Sequence, residues 1–192
     1  MCNDYGNYVD YDDYLAAFSQ TRIPVKWPDA IPNLQPRDDI WPTDRAPVIR
    51  RLEDGTNEFS EIRWGFPPAQ PKRPTSHQFS VRGETLPGRS MSRAGVVFLR
   101  VHRDEEPEVE VEIHQGRRAL VLLSRLWRPM PQGGEAFTLL TTDPSEDVAP
   151  IHDRQMVILD RSNWSAWLQE TGNEADLLRA LPAGSLEVEQ VR

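Results

Sequence analysis

The sequence predicts a single α+β domain in which a mostly antiparallel, barrel-like β-sheet carries helices at its periphery. The chain has 192 residues, enough for one hydrophobic core and too few to argue for two. Alternating and β-branched runs occupy the middle of the chain. Helical periodicity occurs near both ends, and this arrangement favours one sheet with flanking helices. We therefore treat residues 1–192 as one domain.

The helices are predicted from apolar stripes and capping residues. Residues 8–18 carry one stripe, formed by Tyr11, Tyr14, Leu15 and Phe18. Near the other end, Ser162 is predicted to cap a helix over residues 163–170. Asn173 is predicted to cap another over residues 174–180.

The strands are predicted from β-branched content and alternation. They are expected at residues 47–51, 59–64, 94–101, 108–113, 119–127, 136–142 and 155–159, with an edge strand at 185–191. The chain has 17 prolines. They cluster at residues 24–47 and 67–74, and both stretches are predicted to be loops.

Composition excludes several classes of protein. The single cysteine, Cys2, excludes an internal disulfide framework and a cysteine-ligated zinc site. His77, His102 and His114 show no metal-ligand spacing, so we expect neither a metal nor a cofactor. No apolar run approaches the roughly 20 residues of a membrane span, and no leader pattern opens the chain. We expect a cytoplasmic protein. The net charge of -8 argues against a non-specific nucleic-acid binder.

Cys2 combines two nucleophiles if the initiator Met is removed. Its α-amine, with a pKa near 8, is substantially unprotonated at neutral pH. The amine forms a Schiff base with an aldehyde, and the neighbouring thiol closes a five-membered thiazolidine. The alternative interpretation is that a cysteine at this position is incidental.

His152 lies in a turn-like stretch, residues 149–154, before an apolar run. A histidine next to an aspartate, here Asp153, is typical of a tuned acid or base. A surface or structural histidine is the alternative.

Several motifs together resemble the SOS response-associated peptidase (SRAP) family. The specific ones are the Met-Cys-Asn-Asp-Tyr start and Ala-Pro-Ile-His-Asp-Arg at 149–154. The others are at 41–49, 63–68, 80–85, 126–128, 137–142 and 164–168. Their order matches the family, and they span most of the chain except residues 86–125.

The resemblance implies a sensor of abasic sites in single-stranded DNA that needs no cofactor. Family members attack the ring-opened sugar aldehyde with the N-terminal cysteine and form a thiazolidine DNA–protein crosslink. The same nucleophile is linked to autoproteolytic removal of Met1. Residue matching makes Cys2 the nucleophile and His152 the acid–base residue that also stabilises oxygen. The DNA-binding residues it implies are Arg82, Ser80, Trp64 and Pro42. We expect a monomer.

The chain departs from the family at three places. Asp4 stands where the family commonly has a phosphate-contacting Arg, and Ser80 stands at the family's Asn position. The block that supplies the catalytic Glu, Arg-Cys-x-x-Pro followed by Phe-Phe-Glu, is missing. The enzymatic activity is therefore left open.

Residues 90–125 are either a real divergence or a frame-shifted segment. One permitted coding of Ser90–Glu108, read one base later, gives Arg-Cys-Leu-Ala-Pro-Val-Ser-Phe-Phe-Phe-Glu-Phe, which contains the missing block. Continuing the shifted reading permits Phe-x-Gly-Leu-Trp, where the original frame resumes near Trp127. Of the 22 basic residues 20 are Arg, as expected for a GC-rich gene.

Two functions remain open. The first is covalent crosslinking to abasic single-stranded DNA through Cys2. The second is a catalytically impaired protein of the same fold that binds DNA or a partner without covalent chemistry. A cysteine peptidase acting on other proteins has less support, because no substrate cleft is predicted.

Overall fold

The computed structural model describes residues 5–67, 75, 78–80, 93–99, 111–114, 121–131 and 133–190. Strands dominate this part of the chain. They are β1 (Tyr5–Asn7), β2 (Arg37–Ile40), β3 (Arg45–Arg51), β4 (Asn57–Trp64), β5 (Gln78–Ser80), β6 (Arg93–Leu99), β7 (Val111–His114), β8 (Val121–Pro129), β9 (Glu135–Thr142), β10 (Gln155–Met156) and β11 (Glu187–Gln190). The helices are α1 (Tyr11–Ser19), α2 (Trp164–Leu168) and α3 (Glu174–Leu177), with a 3₁₀ turn at Arg161–Asn163.

Five strands pair in a ring that forms the centre of the domain. From β9 the pairing runs through β4, β3, β6 and β8 and returns to β9. Only the β4–β9 pairing in this ring is parallel. The β4–β9 and β3–β6 contacts each rest on two residue pairs, so the ring is barrel-like rather than a fully closed barrel. The predicted α+β class with a mostly antiparallel sheet is confirmed.

Four pairings between described strands lie outside the ring. β5 runs parallel to β9, and β10 pairs with β9 in the antiparallel sense. β1 pairs with β2, and β11 pairs with β7. The predicted edge strand at 185–191 therefore exists over Glu187–Gln190.

Strand alternation separates two hydrophobic cores. Ala46 and Val48 of β3 and Phe137 of β9 face the ring interior with Trp64. The outer face carries Ile49, Phe59, Leu126 and Leu140, which pack against α1 and α2. The helices thus cover one end of the outer face, and the predicted peripheral position of the helices is confirmed.

The first predicted helix begins later than its apolar pattern suggested. The Asp10 carboxylate caps α1 by accepting a hydrogen bond from the Asp13 N–H at 2.8 Å. The Asp13 carboxylate in turn accepts a hydrogen bond from the Asp10 N–H. Tyr11, Tyr14 and Phe18 are buried as predicted. Ala17 is also buried, whereas Leu15 is half-buried.

The predicted cap at Ser162 is wrong. Asp160 caps this region, because its carboxylate accepts hydrogen bonds from the N–H and the hydroxyl of Ser162. Its 3₁₀ turn leads directly into α2, which ends at Leu168. Asn173 does cap α3, since its side chain accepts from the Ala175 N–H at 3.1 Å. α3 is shorter than predicted.

Two further expectations are corrected. The proline-rich residues 24–47 are not all loop, because they contain β2 and the start of β3. The strand predicted at 155–159 is limited to Gln155–Met156. Leu123 and Ile158 form an isolated bridge beyond it. Within the described ranges, no helix is long and apolar enough to cross a membrane.

Candidate functional site

β1 fixes the chain immediately after the predicted nucleophile. Cys2 itself lies outside the described residues. Tyr5, three positions later, is fully buried and pairs with Ile40 of β2. Its ring centre lies 4.9 Å from that of Trp64. β1 therefore begins in the core beside Trp64.

Trp64 is a core residue as well as a predicted DNA-binding residue. Its side chain is fully buried, and β-sheet register places it opposite Phe137, which in turn lies opposite Trp127. The N–H of the next residue, Gly65, donates a hydrogen bond to the Phe137 carbonyl at 2.7 Å. Trp64 thus forms part of the wall against which the start of β1 packs.

The predicted residue Pro42 lies in a tight turn next to this wall. The Asp44 N–H donates to the Trp41 carbonyl at 3.0 Å, which closes a four-residue turn around Pro42 and Thr43. Thr43 has φ of 92°, which is costly for a β-branched residue. Its N–H donates to the Trp64 carbonyl at 2.8 Å. This bond couples the turn to β4.

Trp41 is exposed at the rim of this turn. It is one of three large hydrophobic side chains that are exposed among the described residues, with 45% of its surface accessible. Its N–H donates to the Asp44 carboxylate at 3.0 Å, and that carboxylate also pairs with Arg37 at 2.9 Å. The turn presents an aromatic ring and a proline beside the start of β1.

His152 is largely buried, with its side chain 14% exposed. Its Nδ1 accepts a hydrogen bond from the Arg154 N–H at 3.0 Å. The same Nδ1 lies 2.9 Å from the Asp153 carboxylate. In the neutral ring Nδ1 accepts from the Arg154 N–H, and in the protonated ring Nδ1 donates to the Asp153 carboxylate. The imidazole is therefore held in place in either protonation state.

β9 brings the predicted Ser80 into the same part of the fold as the segment that follows His152. Ser80 of β5 lies opposite Thr141, and Met156 of β10 also pairs with Thr141. The chain between His152 and Met156 is short, so the His152 turn and the end of β5 lie beside the same strand. Arg82 follows β5 and lies outside the described residues.

Two guanidinium groups that the sequence did not single out are buried in the ring interior, counting the described residues alone. Arg50 forms ion pairs with Glu58, at 2.9 Å, and with Glu135. Arg125 is fully buried, donates one hydrogen bond to the Ile49 carbonyl at 3.1 Å, and forms no ion pair with any described residue. The sequence signal was an arginine inside the apolar run 121–127.

Burial dominates the electrostatics of this interior. Desolvation lowers the pKa of Arg125 well below its ordinary value, and the charge of Arg50 adds to that effect. Desolvation also raises the pKa of the Tyr5 hydroxyl far above its ordinary value. That hydroxyl has no hydrogen-bond partner among the described residues. Across the residues with described positions, no group of three or more His, Cys, Asp or Glu is arranged to hold a metal.

Comparisons with known proteins connect this fold to one family. Residues 102–192 match the family model for SOS response associated peptidase (SRAP). The abasic site processing protein YoqW of Bacillus subtilis is 24% identical over 199 residues, covering 94% of this chain and 86% of that protein. The abasic site processing protein YoaM of the same organism is 25% identical, covering 94% and 85%.

Solved structures agree in fold. A phage-related protein from Bordetella bronchiseptica superimposes with a TM-score of 0.70 at 20% identity, covering 100% of this chain and 94% of that one. A protein from Bacteroides thetaiotaomicron gives a TM-score of 0.70 at 14% identity, covering 100% and 92%. The family model matches residues 102–192, just under half of the chain, and the relatives align with 94% of it, so the chain is similar to the SOS response-associated peptidase family.

Proposed function

We propose that this protein recognises abasic sites in single-stranded DNA and captures them covalently through Cys2. The relatives named as abasic site processing proteins, which align with 94% of the chain, support the substrate class. The observation that carries the proposal is the anchoring of β1. Tyr5 is fully buried against Trp64, so a reactive residue three positions earlier starts from a fixed point.

The proposed reaction balances as a condensation. After Met1 is removed, the α-amine of Cys2 adds to the aldehyde carbon of the ring-opened sugar, and loss of one water gives an imine. The thiol sulfur then adds to the imine carbon, and the nitrogen takes up the proton. The product is a thiazolidine, and the only leaving molecule is water.

His152 supplies the proton transfers in this proposal. In the neutral ring the Arg154 N–H occupies Nδ1, which leaves the proton on Nε2. Protonation places a second proton on Nδ1, where the Asp153 carboxylate accepts it. The imidazole ring therefore changes its protonation state without reorienting. A general acid needs this property, because it donates a proton to the departing hydroxyl and is later regenerated.

The remaining predicted residues surround this chemistry. Pro42 and the exposed Trp41 lie in the turn beside the start of β1, and an aromatic ring at such a position provides a surface for a neighbouring base. Ser80 and Arg82 follow from the family resemblance as contacts to the DNA. An abasic site offers no base to read, so contacts to the sugar–phosphate backbone suffice for recognition.

The test uses the purified chain and a single-stranded oligonucleotide with one abasic site. We expect a denaturing gel to show a slower-migrating adduct. Intact mass spectrometry is expected to give the mass of the Met1-free protein plus the DNA minus one water. Cys2→Ala abolishes the adduct. His152→Gln slows its formation by roughly 100-fold or more, in the range of general acid–base contributions.

The matched controls separate chemistry from binding. An oligonucleotide with a tetrahydrofuran in place of the abasic sugar has no aldehyde and is expected to form no adduct. Asp153→Asn replaces the charged acceptor of the protonated imidazole with a neutral amide and is expected to slow the reaction less than His152→Gln does. Binding without any adduct from the wild-type chain overturns the covalent proposal and favours the non-covalent alternative. That alternative has specific support, because the family's catalytic Glu block is missing from the sequence.

A further inference from the structure

The register of the ring aligns three arginines across neighbouring strands. Arg45 of β3 lies opposite Arg63 of β4, Arg63 lies opposite Ala136 of β9, and Ala136 lies opposite Arg128 of β8. Paired residues in a sheet point to the same face. We call Arg45, Arg63 and Arg128 the arginine row.

The arginine row faces outward. Its inner neighbours along the strands, Trp64, Phe137 and Trp127, belong to the core inside the ring, and side chains alternate between the two faces. Arg45 is exposed, while Arg63 and Arg128 are half-buried. The helices cover the other end of this outer face, where Ile49, Phe59, Leu126 and Leu140 are buried.

Neutral groups, rather than carboxylates, hold the three guanidinium groups. Arg45 donates to the Glu61 carbonyl, and Arg63 donates to the Gly65 carbonyl at 3.3 Å. The guanidinium carbon of Arg128 lies 4.3 Å from the centre of the Phe66 ring. Among the described residues none of the three forms an ion pair.

The arginine row does not stabilise the sheet. Like charges directly opposite each other destabilise a strand pair, and Arg45 faces Arg63 directly. The row also lies in a chain of net charge -8. Three arginines without carboxylate partners among the described residues thus lie in one row on a chain that is otherwise negatively charged. A polyanion would neutralise such a row.

We infer that the arginine row binds the backbone phosphates of single-stranded DNA and guides the strand toward the start of β1. Adjacent strands are about 4.8 Å apart, so a row across four strands spans about 14 Å. One strand of B-form DNA carries a charge every 3.4 Å or so, so the row reaches more than one phosphate. Arg45 directly follows the Trp41–Asp44 turn, and this turn directly follows Ile40, which pairs with Tyr5; this continuity connects the row to the start of β1.

Glu61 tests whether a negative charge next to the arginine row weakens DNA binding. It is exposed on the same outer face, two residues before Arg63 on β4. Its carboxylate forms no ion pair with a described residue, yet its charge opposes the approach of phosphate. Neutralising Glu61 is therefore expected to strengthen DNA binding, whereas neutralising a member of the row weakens it.

The inference deepens the proposed function, and its test is independent of crosslinking. Every variant is made in a Cys2→Ala background, and its affinity for an undamaged single-stranded oligonucleotide is measured by fluorescence anisotropy at several salt concentrations. Each phosphate contact on a single strand contributes about 0.7 to the slope of log K against log salt. We expect Arg45→Gln, Arg63→Gln and Arg128→Gln each to lower the slope by up to about 0.7.

Three further variants complete the experiment. Arg63→Lys keeps the charge and is expected to retain most of the slope, which separates charge from packing. Arg179→Gln removes an exposed arginine outside the row and is expected to change neither affinity nor slope. Glu61→Gln is expected to raise the affinity. Circular dichroism and thermal unfolding establish that each variant is folded.

Defined outcomes overturn the inference. Unchanged slopes in all three Gln variants of the row would show that these arginines do not contact phosphate. Tighter binding of an RNA of the same sequence would reject the assignment to DNA. A lowered slope in a protein whose wild type forms no adduct would support the row while rejecting the proposed covalent function, so the two failures are distinguishable.

Discussion

The guanidinium carbon of Arg125 lies 4.8 Å from the centre of the Phe137 ring, inside the ring of strands. Arg125 is fully buried, and within the described ranges its Nε and Nη1 have no hydrogen-bond partner. The Phe137 ring face and the Ile49 carbonyl are its attractive contacts in the described part of the fold. A buried cation without a carboxylate partner is a net cost to folding.

Replacing Arg125 by methionine is expected to stabilise the protein. Met has a similar length and reach but no charge and no N–H groups to satisfy, so Arg125→Met removes a desolvation cost and keeps most of the packing. We expect the free energy of unfolding, measured by urea denaturation, to rise by about 1–3 kcal/mol.

Arg179→Met is the matched control for this change, because Arg179 is exposed. Its effect should stay within about 0.5 kcal/mol. A loss of several kcal/mol in Arg125→Met would contradict the prediction. It would show that the Ile49 hydrogen bond and the contact with the Phe137 ring outweigh the desolvation cost of Arg125.

Tyr5 gives a prediction for alkaline pH. Burial raises the pKa of its hydroxyl far above the ordinary 10.0, so the folded state keeps a proton that the unfolded state releases. The resulting stability is fully present below pH 10 and is lost as pH rises beyond it. Tyr5→Phe removes this dependence, and thermal unfolding from neutral pH to above the ordinary pKa of tyrosine measures the change.

Tyr8→Phe serves as the comparison for Tyr5. The Tyr8 hydroxyl is partly exposed and donates to the Asp38 carboxylate at 2.6 Å. Its removal should leave most of the alkaline loss in place. At neutral pH Tyr5→Phe should be neutral or slightly stabilising, because the hydroxyl it removes is buried without a partner in the part of the chain that the structure describes. An alkaline profile identical in wild type and Tyr5→Phe would refute the assignment.

The sequence predicts the local elements better than the way in which they are joined. The stripe of Tyr11, Tyr14 and Phe18 identifies α1, because helical period depends only on nearby residues. The short strand β1 escapes prediction, since three residues carry too little pattern and its stability comes from burial of Tyr5 against Trp64. The same limit applies to β2, a charged strand held by its pairing with β1.

In the candidate site, too, the sequence predicts individual residues but not the contacts between distant parts of the chain. The motifs identify His152, but they do not reveal that its Nδ1 has one partner for each protonation state. The arginine row is equally hidden in the sequence, because Arg45, Arg63 and Arg128 come from three separate strands. They become neighbours only through register across β3, β4, β9 and β8, which is a non-local property.

Asp160 gives a prediction for acidic pH. Hydrogen bonds from the Ser162 side chain and backbone lower the pKa of its carboxyl below the ordinary 3.8. The stability that the ionised cap contributes is present above that value and is lost as pH falls through the lowered folded pKa. Asp160→Ala should cost about 1 kcal/mol at neutral pH, the usual value of such a cap, and urea denaturation measures it.

Asp160→Asn separates the cap from its charge. The amide oxygen still accepts from the Ser162 N–H, so this variant should lose only a few tenths of a kcal/mol at neutral pH. It should also lack the part of the acid destabilisation that comes from Asp160. An equal loss in the Ala and Asn variants would mean that charge, rather than the hydrogen bond, holds the 3₁₀ turn.

The position of Arg125 also bears on the origin of residues 90–125. In the reading shifted by one base, Phe-x-Gly-Leu-Trp ends at Trp127, which places a glycine at position 125. A glycine at 125 would leave the interior with one guanidinium, Arg50, which has its carboxylate partners. We therefore propose that the segment is frame-shifted.

The encoding DNA tests this proposal directly, and a one-base change between about Gly88 and Trp127 should restore the Phe-Phe-Glu block. A chain synthesised with the restored reading should unfold at a higher urea concentration than the present chain, by at least the 1–3 kcal/mol or so expected for relieving Arg125. It should also crosslink abasic DNA faster, because the missing Glu returns. A restored chain that is less stable than the present one would show that residues 90–125 are a real divergence to which the surrounding core has adapted.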